Sequence, residues 1–350
     1  MQDLIRRALE VLRAKQVLRR LGVLISLTVI GIACYILFHL LRTIDVDKVI
    51  DALARGDLRS IALAALFVAA SYFTLTFYDL FALRTIGHPE VPYRISALAA
   101  FTSYSVGHNV GASAFTGGAV RYRIYSSCGL SAVDVTKVCF VAGLTFWLGN
   151  AAVLGMGVAY HPEAASAVDQ LPPWINRIAA FAILLALCGY VAWVSLAPRQ
   201  VGRGPWAVVL PGGGLTLLQI AIGIVDLGFC ALAMYILMPA TPYIDFLSLA
   251  VVFILATLLG FASHAPGSIG VLDAAILLAL PQFGRADLLA TLLMFRLLYF
   301  VIPFMLSITI MGSRELWLSV LRPWRQRRRA CEAASSTVAA CPDEHRRDAA

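Results

Sequence analysis

Charge is what this sequence has least of. Only 14% of its 350 residues are charged, against 60% hydrophobic, where a soluble domain carries about a quarter charged residues. With a mean hydropathy of +0.81, an ordinary water-soluble fold is excluded and an integral membrane protein remains. Also absent is any Cys-x-x-Cys pair or Cys/His cluster. Cys34, Cys128, Cys139, Cys188, Cys230, Cys331 and Cys341 stand apart, most of them in apolar runs, and read as small packing residues. No His, Asp and Glu fall at metal-ligand spacing, so neither metal nor other cofactor is expected. The lack of a Gly-x-x-x-x-Gly-Lys-Ser/Thr loop excludes a P-loop ATPase. No cleavable signal peptide is expected either: the first apolar run follows about twenty mixed polar residues and outlasts a signal h-region, so the N-terminus should stay attached.

What positive charge there is sits at the two ends. The net charge of +8 owes most to Arg6, Arg7, Arg13, Lys15, Arg19 and Arg20 before the first apolar run, and to Arg322, Arg325, Arg327, Arg328 and Arg329 after the last. Such flanks orient spans and attract anionic headgroups, so the partners expected are membrane phospholipids and not nucleic acid, and both termini are expected on the cytoplasmic side.

The apolar runs fall near 21–42, 59–83, 94–115, 132–159, 175–197, 213–238, 244–263 and 286–312, most of them at least the roughly 20 residues that cross a bilayer. The fold class is therefore an all-α polytopic membrane protein with about eight hydrophobic segments. Two of these are interrupted, and the interruptions look like copies. Pro92-Tyr93, His108, a Gly-rich break to Gly118, then Gly129 are echoed by Pro242-Tyr243, His264, the break Ala265 to Gly270, then Gly284. The Pro-Tyr pairs lie 150 positions apart and the closing glycines 155. Duplicated segments with broken helices mark transporter folds.

Loop charge sets the direction of the copies. The connection from Tyr160 to Trp174 has no Lys or Arg, and the one from Pro198 to Pro211 has Arg199 and Arg203, so the first reads as external and the second as cytoplasmic. This requires each broken segment to enter and leave on one side, as a re-entrant hairpin, and makes an inverted repeat. The competing count, with both segments crossing fully, gives eight spans and a parallel repeat and puts both arginines outside.

The expected organisation is a basic cytoplasmic N-terminus (1–20) and a first transmembrane helix with an interfacial amphipathic helix (21–58). Repeat one (59–159) has broken segment 94–128, and a connecting span (160–212) leads to repeat two (213–313) with broken segment 244–281. A basic, disordered cytoplasmic tail (314–350) ends the chain.

Unpaired backbone in hydrocarbon costs several kcal/mol per group, so the breaks must face protein or water. Gly107, Gly111, Gly117 and Gly118 would permit reversal or close backbone approach at the first break, with Asn109, Ser113 and Thr116 bonding freed groups. Pro266, Gly267 and Gly270 would do so at the second. The plainer reading is that the glycines only pack helices closely. Ionisable residues in apolar runs are candidates by default: Arg121 and Arg123 after the first break, Asp226, Asp273 and Arg296. A guanidinium held in a cavity suits phosphate. Against this, Arg121 and Arg123 would also fit snorkelling to the interface, and Arg296 a structural pairing with Asp273 or Asp226. His108 and His264 fit proton carriers or simple hydrogen-bonding residues. Asp79, near the end of its run, reads as interfacial.

The run Ser105-Val106-Gly107-His108-Asn109-Val110-Gly111 through Thr116-Gly117-Gly118-Ala119-Val120-Arg121-Tyr122-Arg123, with Pro266-Gly267-Ser268-Ile269-Gly270-Val271-Leu272-Asp273, resembles the lysylphosphatidylglycerol synthetase-type transmembrane family. That family includes the flippase half of the bacterial multiple peptide resistance factor. The likeness spans roughly 20–315; Asp273 departs from the family's usual Glu, which shortens the carboxylate's reach. Larger members carry a soluble aminoacyltransferase domain for which this chain has no room, so the resemblance implies the lipid-translocating part and not the enzyme. It implies a bacterial inner-membrane location and movement of a phospholipid, aminoacylated or not, between leaflets. The rivals are an intramembrane enzyme on a lipid or polyprenyl phosphate and an accessory subunit of a lipid-modifying system; a homo-oligomer or a lipid-modifying enzyme partner is left open.

Overall fold

The computed structural model describes residues 57–111 and 113–316. The basic N-terminus, the first apolar run with its amphipathic sequel, Cys34 and the tail with Cys331 and Cys341 lie outside the described residues.

The described part begins with α1 (Leu58–Thr85), whose first turn is capped by the Asp57 carboxylate accepting from the Arg59 amide at 3.2 Å. Two shorter helices follow, α2 (Tyr93–Val110) and α3 (Ser113–Tyr125), and then α4 (Ala132–Tyr160), started by a Ser131/Asp134 capping box. The connection contains α5 (Pro162–Asp169), a short helix where only a loop was expected, and α6 (Pro173–Leu196). A two-stranded hairpin, β1 (Gln200–Val201) with β2 (Val208–Val209), leads to the second half. There α7 (Gly213–Leu237) is followed by α8 (Phe246–Ala262) and α9 (Val271–Ala279). Next come α10 (Arg285–Arg296), a π-helical turn (Leu297–Val301) and α11 (Ile302–Leu316).

Among the described residues five helical stretches are long and apolar enough to cross a bilayer: α1, α4, α6, α7 and the run Arg285–Glu315. This is an all-α polytopic membrane protein. Its outer surface carries what a lipid-facing surface should, with Ile178, Phe181, Leu185 and Leu196 of α6 exposed. Inside, close contacts rest on small residues. Gly149 of α4 and Gly223 of α7 sit backbone to backbone, where an added Cβ on either would lie 2.6 Å from the other's Cα. Without a strong apolar driving force between helices in lipid, such close approach supplies the packing.

Both interrupted segments fold as helical hairpins. In the first, α3 returns along α2: an added Cβ on Gly107 would lie 3.2 Å from Ser113 Cβ, and one on Gly117 3.1 Å from the Ser103 carbonyl. In the second, an added Cβ on Gly260 of α8 would lie 2.6 Å from the Ser268 side chain, so the turn folds back onto the helix before it. Helices α1 and α7 are antiparallel, since Phe67 stacks on Phe229 at 5.9 Å while Tyr78, eleven residues further along, reaches Asp226, three residues earlier. The mouth of hairpin one adjoins the end of α1 and that of hairpin two the end of α7, so the two open at opposite ends of the bundle.

The chain divides by its contacts after Ser307. Of the smaller unit, from Ile308, the described part is the helical end to Leu316, where Arg314 and Glu315 approach to 4.0 Å.

Candidate functional site

The tips of the two hairpins touch. Gly111, at φ 81° and ψ 178°, ends α2 in backbone that only glycine adopts readily. An added Cβ there would lie 2.7 Å from the His264 carbonyl and 3.6 Å from the Pro266 nitrogen. Opposite it the chain turns through Pro266–Ser268, with Gly267 at φ 60° and Gly270 at φ 81°. Between the tips lies a cavity of about 100 Å³, lined by Gly107, His108, Gly111, Ser113, His264 and Ser268, among others. Of the four glycines expected at the first break, Gly111 makes the turn. Gly107 and Gly117 allow α2 and α3 to approach, and Gly118 meets only the Cys139 sulfur at ordinary contact distance, 3.8 Å.

Each hairpin holds one arginine in a carboxylate fork. Arg121 on α3 donates to Asp79 of α1 through Nε (2.9 and 3.1 Å) and Nη2 (2.7 Å). Tyr125 adds its hydroxyl at 2.8 Å, and the guanidinium lies 4.7 Å from the centroid of the Tyr104 ring. Asp79 is 0% exposed and Arg121 6%, which corrects the interfacial reading of Asp79 and the snorkelling reading of Arg121. A buried arginine stays charged and is costly unless matched, and here the partner is a carboxylate inside α1.

Arg296, the last residue of α10, donates through Nε and Nη2 to Asp273 at 3.1 and 2.8 Å, and through Nη1 and Nη2 to the carbonyls of Gly267 and Ser268 at 3.0 and 3.3 Å. Those carbonyls are free because the helix is broken there. Asp273 also accepts the Gly270 amide at 3.0 Å, capping α9. This pair is the more open one: the side chains are 10% and 23% exposed, against 7% and 0% for Arg121 and Asp79.

The π-helical turn after Arg296 frees further carbonyls, as an i to i+5 pattern does. Asn109 Nδ2 donates to the Phe300 carbonyl at 3.1 Å and Tyr72 OH to that of Tyr299 at 3.0 Å, so the tip of hairpin one and α1 are each tied to the last long helix.

Asp226 does not join either arginine. It is 5% exposed and accepts from Ser71 Oγ at 2.6 Å and Tyr78 OH at 3.1 Å. His108 stacks on Phe261 at 5.2 Å and faces Tyr299 at 6.1 Å. His264, at φ 54°, is exposed, with Nδ1 at 2.9 Å from the Ala262 carbonyl. Arg123 is half-buried on α3. The structure thus brings Asn109, His108, His264, Asp273 and Arg296 to the tips, and holds Arg121 and Asp226 separately. Asp79, Tyr125, Ser71, Tyr78 and Asn150 were not singled out for the site from sequence; of these only Asp79 carried a signal, as a carboxylate within an apolar run. Among the described residues no group of three His, Cys, Asp or Glu is placed to hold a metal ion.

No family model matches the chain. It is similar to an uncharacterized protein of Synechocystis sp., 27% identical over 247 residues, 70% of this chain and 76% of that protein. It is similar to the inner membrane protein YbhN of Escherichia coli, 29% identical over 249 residues, 69% of this chain and 76% of that protein. A more distant likeness, 24% over 278 residues, joins 75% of this chain to 30% of the phosphatidylglycerol lysyltransferase of Staphylococcus aureus. One of these relatives is named for the inner membrane and one for a lipid, and the tie to the lysyltransferase is the weaker one.

Proposed function

We propose that this chain is an inner-membrane lipid transporter that moves a phospholipid between leaflets, with both termini cytoplasmic. The observation that carries the reading is the pair of hairpins opened to opposite ends of the bundle with tips in contact. That geometry suits alternating access, in which separation of one tip from the other exposes a shared polar groove first to one side and then to the other. The likeness to YbhN supports the location, and that to a phosphatidylglycerol lysyltransferase, over less than a third of it, supports a lipid as the cargo.

In this reading the headgroup phosphate takes the place of Asp273 on Arg296. A guanidinium that already meets a carboxylate in a two-point fork offers the same donors to phosphate oxygens. The released Asp273 then meets an amine where the headgroup carries one, and His108 and His264 line the approach. The acyl chains remain in lipid. Arg121 holds hairpin one to α1, and Arg123 lies on its open side. The chain itself forms no covalent intermediate; the transferase activity in the relative's name belongs to that protein.

The test is a leaflet-resolved assay on purified protein in vesicles, with fluorescent phosphatidylglycerol and its lysylated form. Transfer well above protein-free vesicles, lost in Arg296→Ala at unchanged protein content, is the expected result. No transfer of either lipid, or transfer unaltered by that substitution, removes the reading or the residue.

A further inference from the structure

We infer that Asp226 is a proton-binding site inside the helix bundle, reached from the cavity between the hairpin tips by way of His108. Its role as the coupling site rests on the transport reading above; the proton site itself does not.

Three observations converge on it. Asp226 lies within α7 and has only hydroxyl donors, Ser71 and Tyr78, as hydrogen-bond partners; among the described residues no Lys or Arg pairs with it. A buried carboxylate without a cation is costly in a low-dielectric core, and the cost is removed by taking up a proton. Second, Asp226 lines a cavity of about 40 Å³ together with Tyr104, His108, Asn150, Thr257 and Tyr299. Asn150 Oδ1 and His108 Nδ1 are buried there without a partner, and Asn150 is 2% exposed. With the Asp226 carboxylate, these two atoms offer a water in the otherwise apolar pocket the polar partners it needs. Third, His108 also lines the cavity between the tips, so one side chain borders both spaces.

The size and walls of the pocket choose among ligands. A pocket of about 40 Å³ leaves little room for a phosphorylated headgroup. A sodium or calcium ion would need several oxygen ligands with lone pairs directed inward, and the remaining wall is mostly aromatic and aliphatic: Leu75, Phe146, Phe253, Ile254 and Phe295.

The transfer is simple. An N–H bond of protonated His108 breaks, a water in the pocket passes the proton on, and an O–H bond forms on Asp226, whose charge falls to zero; release reverses each step. The titratable groups facing Asp226 are Tyr72 and Tyr78 from α1, Tyr104 and His108 from α2, Cys230 from its own helix and Tyr299 from the π-helical turn. Helices α4 and α8 contribute Asn150 and Thr257, which do not titrate. Arg121 lies across the Tyr104 ring and is held by Asp79. Loading Asp226 therefore alters the charge of the contact between α1 and α7, the two antiparallel helices from which the hairpins depart.

Infrared difference spectroscopy on the purified protein in nanodiscs, stepped in pH, reads the site without any lipid assay. Lowering the pH should raise a protonated-carboxyl band that is missing in Asp226→Asn. Tyr78→Phe should move its midpoint upward by about one pH unit, since the carboxylate loses a donor. His108→Gln should slow proton arrival, followed by stopped flow with a pH dye, by about tenfold or more. The same band in Asp226→Asn, a midpoint unmoved by both Tyr78→Phe and Ser71→Ala, or displacement of the band by sodium would each overturn the site. In vesicles, a titrating band alongside lipid transfer that ignores an imposed pH gradient overturns the coupling. A titrating band with no lipid transfer at all sinks the transport reading and leaves the proton site standing.

Discussion

The two hairpins share a shape and differ in how they are locked. In hairpin one the arginine is on the returning helix and the acid is in the long helix before it: Arg121 with Asp79, fully buried. In hairpin two the returning helix carries the acid and the arginine comes from the helix after it, Asp273 with Arg296, partly open and lying against the broken backbone of the tip. A deep, saturated ion pair fixes a hairpin to its neighbour. A shallower one, half of whose donors go to carbonyls, can exchange its carboxylate for another anion. Asp226 of α7 also lies against α1, yet its partners there are the hydroxyls of Ser71 and Tyr78, and among the described residues no arginine pairs with it.

The comparison breaks most completely if the hairpins do not open to opposite sides. With single cysteines replacing Tyr93 and Tyr243, an impermeant thiol reagent applied to one side of sealed vesicles should label one variant and not the other. Labelling of both from one side ends the inverted arrangement. Next in size is the deep pair: Asp79→Ala leaves Arg121 buried and unmatched and should cost roughly 3–5 kcal/mol, read as a fall in the unfolding midpoint in detergent. Asp79→Ala with Arg121→Met should recover much of that loss. Two glycines with the same φ of 81° sharpen the contrast between the tips. Gly111→Ala drives a methyl into the His264 carbonyl and should cost about 2–3 kcal/mol and impair transfer, whereas Gly270→Ala enters open space and should cost about 1 kcal/mol. The smallest effect is expected at the open pair, where Asp273→Ala leaves Arg296 its two carbonyl bonds and should cost about 1 kcal/mol in stability. Its larger consequence should be in transfer, where the preference for an aminoacylated over a plain headgroup is lost.

Much of the architecture was open to reading because membrane helices advertise themselves. The helices at 58–85, 132–160, 173–196 and 213–237 fall within two residues of the apolar runs, since length and apolarity alone decide what crosses a bilayer. The breaks were legible for the related reason that glycine and proline in an apolar run must be accommodated somewhere. Which glycine turns was not legible: Gly111, Gly117 and Gly118 have the same composition signal, and only the packing of α3 on α2 separates the turn from the contact. The pairing of Asp79 with Arg121 was missed because position near the end of a span suggests an interface, while the returning hairpin helix brings a buried partner to that depth.

The sequence by itself determined that this chain lives in a bilayer, where its spans begin and end, and that two of its segments are interrupted, because each of these follows from transferring a local stretch of residues out of water. Only the tertiary structure decided which carboxylate answers which arginine, that the two tips meet, and that Asp226 is left with hydroxyls alone. Those outcomes depend on residues distant along the chain arriving at the same depth, and the energy of a buried charge is set by its neighbours in space.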